Sequence, residues 1–322
     1  MYNPEDSHGE ISQLIDKLGV SSGAKYLKEL DNLEINFLKE FDYLPDLIML
    51  IRSYVVKKDF VHQIGPVHAI RDGITFSFHN FFEDRNDFDN DGSAVLLQES
   101  PHVTVFPLSL TQEIPFIKST HKKHITIIIS ADYLKSFLKD DAEQFAFLFS
   151  RNGDFLIEEI MTDELLCTAK EIVKNDMSIP LPHYFYKLKA LELIFHFFKS
   201  VSRREKITHI RLNSIEIQSV YQVRDSIVSS LNKRFSIAKL KAVAGMNELK
   251  LRKAFIQVFG MGLYDYYQHL RMKEASRLLR DDKLTVSEAG YRLGFENLSH
   301  FSRVFEKHIG KKPKKYSKDF SS

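Results

Sequence analysis

The sequence predicts an α+β protein: an N-terminal antiparallel β-sheet or barrel-like domain with helices, then an all-α C-terminal domain. In the latter, a long helix joins two helix-turn-helix units. Three observations carry this prediction. Short apolar or alternating runs separated by turn residues fill the stretch from about Asp46 to Ser130. Apolar residues at helical spacing take over after Ala131, and the C-terminal part contains an internal duplication.

The chain has 322 residues, 43% of them apolar and 27% charged, enough for two cores or one large one. No apolar run approaches the roughly 18 residues that span a bilayer. The start, Met1-Tyr2-Asn3-Pro4-Glu5-Asp6, lacks the basic and apolar stretches of a signal peptide. Cys167 is the only cysteine, which excludes an intrachain disulfide and a Cys-based zinc cluster. The expectation is therefore a cytoplasmic protein with no membrane association, cofactor or metal.

In chain order, Glu10–Leu18 reads as a short helix, and Lys25–Phe41 fits either a helix or a pair of strands. Strands are expected at Leu47–Val56, Ile74–Phe78, Ala94–Leu97, Val103–Phe106 and Ile125–Ile129. Gly65-Pro66, Asp72-Gly73, Asp91-Gly92 and Ser100-Pro101 break them, and acidic Glu83–Asp91 reads as a loop. A sheet lined by Phe76, Phe78, Val105 and Phe106 fits either a filled core or a ligand enclosure, with the core favoured. His121 and His124 precede a strand, where residues three apart point to opposite faces, so they are not expected to share a metal.

Helical spacing follows at Asp132–Leu138, Asp154–Lys174 and Pro182–Val201. The last carries Phe185, Leu188, Leu191, Ile194, Phe195 and Phe198, which fit its own core or a second subunit. Polar Ser202–Asn213 is the candidate linker. The expected division is 1–205 for effector sensing, dimerisation or both, 206–213 for the linker, and 214–322 for DNA binding.

The near-neutral total charge hides an asymmetry. Residues 201–322 hold 25 Lys and Arg against 12 Asp and Glu, a balance of +13; the rest hold 20 against 31, a balance of −11. A basic half attracts phosphate backbones, although charge alone leaves a merely solvated surface open.

The duplication is more informative. Ile237, Leu240, Ala244 and Gly245 are followed by Leu251, Phe255, Phe259, Gly260, Leu263 and Tyr266. Val286, Ala289, Leu293 and Gly294 are followed by Phe301, Phe305, Ile309, Gly310, Pro313 and Tyr316, offset by 49 residues up to the glycine and 50 after it. Each copy reads as helix, glycine turn, helix. Ser236 and Thr285 stand at N-cap positions, Thr285 with Glu288 in a capping-box pattern. Gly245 and Gly294 permit a left-handed turn. With the apolar stripe inward, the second helices present Glu248, Lys250, Arg252 and Lys253 in one copy, and Asn297, Ser299, His300, Ser302 and Arg303 in the other. These are base-edge and phosphate readers by chemistry. Leu263–Leu279 reads as one connecting helix, roughly 25 Å long. Such a rod would hold the recognition helices about one DNA turn apart, near 34 Å.

The stretch from about Ser214 to Phe320 resembles the DNA-binding domain of the AraC/XylS family of bacterial transcription regulators. The matching residues include Ala244-Gly245-Met246, Phe259-Gly260, Arg271, Ala275, Leu278-Leu279, Gly294-Phe295, Ser299-His300-Phe301-Ser302-Arg303, Gly310 and Pro313. Gly290 departs from the family's usual aliphatic residue, and a helical glycine costs about 0.5–1 kcal/mol relative to alanine. The resemblance implies base reading by Leu249, Arg252 and Lys253 in the first recognition helix. In the second it implies Asn297, Leu298, Ser299, His300 and Arg303. Leu249 and Leu298 could at most touch a thymine methyl. Lys311, Lys312, Lys314 and Lys315 fit phosphate contacts or a solvated tail.

By the same resemblance, the front half binds a small-molecule effector, dimerises, or both, and the whole activates transcription with RNA polymerase as partner. Ile74–Leu138 resembles members that sense siderophores or small metabolites. A regulator without ligand, whose front half only dimerises or contacts proteins, remains the alternative. An alkyl-transfer enzyme fused to a DNA-binding module is not expected: that chemistry needs a nucleophilic thiolate with a basic partner, and Cys167 sits in the apolar helical run Leu165-Leu166-Cys167-Thr168-Ala169.

Overall fold

The computed structural model describes residues 13, 28–64, 69–81, 101–110, 112–149, 155–174, 179–204, 210 and 212–320. These residues fall into two compact units, one up to Ser214 and one from Ile215 onward.

The first unit is built on strands β1 (Leu33–Tyr43), β2 (Leu47–Val56), β3 (Phe60–Ile64), β4 (Gly73–His79), β5 (His102–Pro107), β6 (Gln112–Phe116), β7 (His121–Ser130) and β8 (Ile157–Ile160). Six of them form one antiparallel sheet in the order β1-β2-β7-β4-β5-β8, while β3 and β6 pair separately. Strand β2 is apolar on both faces because it lies inside the sheet and both its faces are covered. Alternation then sends Leu47, Met49 and Ile51 to one side and Ile48, Leu50 and Arg52 to the other.

The first side holds the main core. Phe76, Phe78, Val103, Val105, Ile125 and Ile127 are fully buried there. Helices α2 (Asp163–Lys174) and α3 (Pro182–Val201) cover them with Leu165, Ala169 and Ile172, and with Tyr186, Leu193 and Phe197. Phe197 meets Phe76 edge-on, with ring centroids 5.3 Å apart. Each such buried side chain contributes about 1.5–3 kcal/mol. A shorter helix, α1 (Ala131–Leu138), starts at Ser130, whose hydroxyl accepts the Tyr133 N–H at 3.2 Å; a 3-10 segment, Lys139–Phe149, follows.

Several expectations are met and others corrected. The strands at Leu47–Val56, Ile74–Phe78, Val103–Phe106 and Ile125–Ile129 are present, as is the helix Pro182–Val201. The ambiguous stretch ending at Phe41 is a strand from Leu33 onward, because β2 offers it a ladder of backbone partners. The helix expected over Asp154–Lys174 begins only at Asp163. Ile157–Ile160 instead pairs with β5, from Val105↔Ile157 to His102↔Ile160, and four residues are too few for their period to decide between the two forms. The strands β3 and β6 carry no alternating signal strong enough to foresee. Phe106 faces away from Phe76, Phe78 and Val105, which are core residues rather than a ligand lining. His121 contacts the Ser53 hydroxyl at 3.0 Å, whereas His124 lies on the opposite face against Tyr54. Cys167 is on the exposed side of α2. Apart from Gln13, Glu10–Leu18 lies outside the described residues, as do Glu83–Asp91, Ala94–Leu97 and part of 202–213. No helix among the described residues is long and apolar enough to cross a membrane.

Candidate nucleic-acid interface

The second unit consists of helices α4 (Ser214–Val228), α5 (Ile237–Ala244), α6 (Glu248–Phe259), α7 (Leu263–Arg280), α8 (Val286–Arg292), α9 (Leu298–Ile309) and α10 (Pro313–Lys318). Its local geometry follows the duplication. The Ser236 hydroxyl accepts the Lys239 N–H at 3.4 Å, and Gly245 ends α5 at φ +62°. In the second copy, the Thr285 hydroxyl accepts the Glu288 N–H at 3.2 Å while the Glu288 carboxylate accepts the Thr285 N–H at 2.8 Å. This is the capping box read from the sequence. Gly294 follows α8 at φ +78°, a left-handed conformation that side chains with a Cβ rarely adopt.

Each recognition helix, α6 and α9, is capped by an asparagine. The Asn247 amide oxygen accepts the Lys250 N–H at 2.9 Å, and the Asn297 amide oxygen accepts the His300 N–H at 3.0 Å. The apolar stripes point inward as expected: Leu251, Phe255 and Phe259 are buried in α6, and Phe301 and Phe305 in α9. The second copy packs Ala289, Leu293, Phe295, Phe301 and Phe305 onto Ala275, Leu278 and Leu279 of α7.

The outward faces differ. On α6, Leu249 is 67% exposed. Arg252 and Lys253 are also exposed, but Arg252 is ion-paired with Glu248 one turn earlier, at 2.8 Å. Lys250 is half-buried and paired with Glu216 of α4. On α9, Ser299, His300 and Arg303 are exposed and Ser302 is half-buried. Leu298 is not an outward residue: it lies over α8, where a Cβ built on Gly290 would come within 2.7 Å of its Cδ2. Gly290 thus marks a close helix crossing, where a Cβ would also meet Phe301 Cδ1 at 3.3 Å. Asn297 uses its amide oxygen for the cap, leaving its amide N–H groups for other partners.

One residue whose duty the sequence reading did not assign organises the region. Arg271, buried in the middle of α7, donates from Nη2 to the Leu293 carbonyl at 2.6 Å, and its guanidinium lies 3.8 Å from the Phe295 ring centroid. It therefore ties the turn of the second copy to the connecting helix. Burial lowers its pKa, while the Tyr267 hydroxyl works the other way. The signal was present in the sequence: Tyr267, Arg271 and Ala275 occupy successive positions of one buried helical stripe. A further tie links the copies. The Tyr267 hydroxyl donates to the Lys233 carbonyl at 2.6 Å, and Gly294 abuts the neighbouring turn so closely that a Cβ would lie 2.3 Å from the Asn232 carbonyl oxygen.

Two helices with capped N-termini, each packed against the connecting helix α7 and carrying outward Arg, Lys, Ser and His side chains, match the chemistry of base edges and phosphates. Comparison with known proteins points the same way. A family model described as a helix-turn-helix domain matches residues 240–319. The transcriptional activator AggR of Escherichia coli is 28% identical over 160 residues, covering 50% of this chain and 56% of the relative. The regulatory protein PchR of Pseudomonas aeruginosa is 32% identical over 119 residues, covering 37% and 40%. The chain thus spans about half the length of the curated relatives it matches. Among solved structures, a probable AraC family transcriptional regulator from Rhodopseudomonas palustris is 29% identical, with a TM-score of 0.31, covering 33% of this chain and 99% of that one. Residues 240–319 form a helix-turn-helix domain similar to those of AraC-type regulators, a domain type that implies binding to double-stranded DNA.

Proposed function

We propose that the whole chain is a sequence-specific transcription activator, acting in the cytoplasm, whose sheet unit senses a small-molecule effector. The observation that carries it is the duplicated, tied pair of capped recognition helices in the basic part of the chain. Leu249, Arg252 and Lys253 would read one groove segment, and Ser299, His300 and Arg303 the next. Asn297 and Ser302 would add contacts at the helix edge, Lys250 would reach phosphate only by leaving Glu216, and Leu298 would support the α8 crossing. RNA polymerase is the partner expected of an activator.

A homodimer also fits. Helix α3 turns Tyr184, Leu188 and Phe195 outward at helical spacing, and a self-complementary apolar face of this kind suits a second copy of the chain. The same face supports the alternative in which the front unit only dimerises.

The test is selection of bound fragments from the source genome, followed by affinity measurement on the recovered site. Arg252→Ala should weaken specific binding by about 1–3 kcal/mol if the guanidinium reads a base edge. Unchanged affinity would remove Arg252 from the readout, and absence of any sequence preference at moderate salt would sink the reading as a whole.

A further inference from the structure

The second face of the large sheet is apolar at one end, where Ile48, Leu50, Ile70, Leu108 and Ile128 cluster, and polar at the other. Across β2, β7, β4 and β5, the register aligns Arg52, His124, His79 and His102 in one row. The next row on the same face holds the hydroxyls of Thr126, Ser77 and Thr104 beside Leu50, and the one beyond it holds Thr75 as a single hydroxyl among Ile48, Ile128 and Phe106. Thr75, Ser77, Thr126, His102 and His124 are each more than nine-tenths buried. A sheet face kept from water normally carries apolar side chains, because each buried polar group needs a partner.

Two groups on this face lack one. The Arg52 Nη2 donates to the Thr126 hydroxyl at 2.8 Å, but its Nε is buried without a partner, and no carboxylate among the described residues pairs with this guanidinium. The Thr75 hydroxyl is likewise buried and unpartnered. The neighbouring imidazoles do not supply a counter-charge. Burial, reinforced by nearby positive groups, pushes His79 and His124 well below the usual histidine range and keeps them neutral. Their arrangement does not suit a metal either: His79 and His102 stack with centroids 4.9 Å apart, and no group of three ligating residues among those described could hold an ion. A half-buried guanidinium whose Nε is buried without a partner, beside neutral imidazoles, calls for an anion. The hydroxyl rows run along the strands from Arg52 to Thr75 over roughly 13 Å, the rise of four residues.

We propose that this face binds a small hydroxylated organic acid. Its carboxylate would lie against Arg52 and the histidine row, and its hydroxyls against Thr126, Ser77 and Thr75. The inference rests on the reading that the sheet unit senses a small molecule, and supplies the chemical class of that effector.

The test uses the full chain, with malate, tartrate, citrate and gluconate as probes at millimolar concentration. Thermal stability and affinity for the selected DNA site are read together. At least one acid should raise Tm saturably, whereas sorbitol (hydroxyls without charge) and hexanoate (charge without hydroxyls) should leave it unchanged. Arg52→Gln should weaken acid binding tenfold or more. Thr75→Val, nearly isosteric and free of the unpaired hydroxyl, should raise the Tm of the unliganded chain while reducing the shift the acid produces, so the proposal stays testable even if the arginine variant folds poorly. The proposal is overturned if none of the four acids shifts Tm, or if Arg52→Gln binds the acid like the parent. If sorbitol alters DNA affinity while the acids do not, the unit still senses a small molecule and only the class is wrong. If no probe changes either reading, the sensing function falls with it.

Discussion

At the turn of the first helix-turn-helix copy, Gly245 has open space where a Cβ would go; at the matching turn of the second, the Asn232 carbonyl oxygen fills that space. The difference extends beyond the glycines. The first copy meets its surroundings through apolar packing and pairs two of its basic side chains, Lys250 with Glu216 and Arg252 with Glu248. The second is held by backbone: Arg271 grips the Leu293 carbonyl, Gly290 lets α8 and α9 approach, and Arg303 on its outward face has no carboxylate partner among the described residues. A duplicated motif therefore repeats its caps and left-handed turns, which are local, while its tertiary partners are not repeated. The first copy adjusts charge, and the second sets position.

The largest expected contrast is between the two turn glycines. Gly245→Ala should cost roughly 1–2 kcal/mol, the penalty for a left-handed non-glycine residue. Gly294→Ala adds a collision with the Asn232 backbone, for a further loss of about 1–3 kcal/mol from overpacking. Urea denaturation of the full-length protein measures both, and equal losses would erase the asymmetry. Next, Arg271→Met should destabilise by about 1–3 kcal/mol, because the buried Leu293 carbonyl loses its donor. Hydrogen exchange should then quicken in α8 and α9 ahead of α5 and α6; uniform loosening of both copies would contradict the assigned tie.

A smaller effect should come from charge. Glu248→Gln frees Arg252 and removes an anion from the DNA-facing surface. The pair is exposed, so the gain in DNA affinity should be about 0.3–1 kcal/mol, fading with added salt. A fall in affinity would mean that Glu248 positions Arg252 rather than restraining it. The smallest change is expected from Gly290→Ala. Better helix propensity, worth about 0.5–1 kcal/mol, opposes the displacement of the Leu298 methyl at the end of its side chain, leaving stability within about 1 kcal/mol of the parent. A loss well above that would show a crossing too tight to yield.

The helical half was easier to read from the sequence than the sheet half. Ser236, Thr285 with Glu288, Gly245 and Gly294 act on residues within one turn of themselves, so their spacing sufficed to place them. The strand β8 gave no such signal, because Ile157–Ile160 becomes a strand only where the edge of β5 offers partners. Among the candidate DNA-reading residues, outward placement of Arg252, Lys253, Ser299, His300 and Arg303 followed from helical period. The inward turn of Leu298 did not, since it depends on Gly290 of a different helix.

The sequence alone determined the two capped helix pairs, their shared apolar stripe, the basic C-terminal part and the strand-rich front. Tertiary structure alone decided which side chains meet: Arg52, His124, His79 and His102 come from four strands distant in the chain and align only through the order β2-β7-β4-β5. Period and caps arise from neighbours along the chain, whereas a cross-strand row, a buried guanidinium grip or a glycine pressed on a carbonyl needs the chain to return to itself.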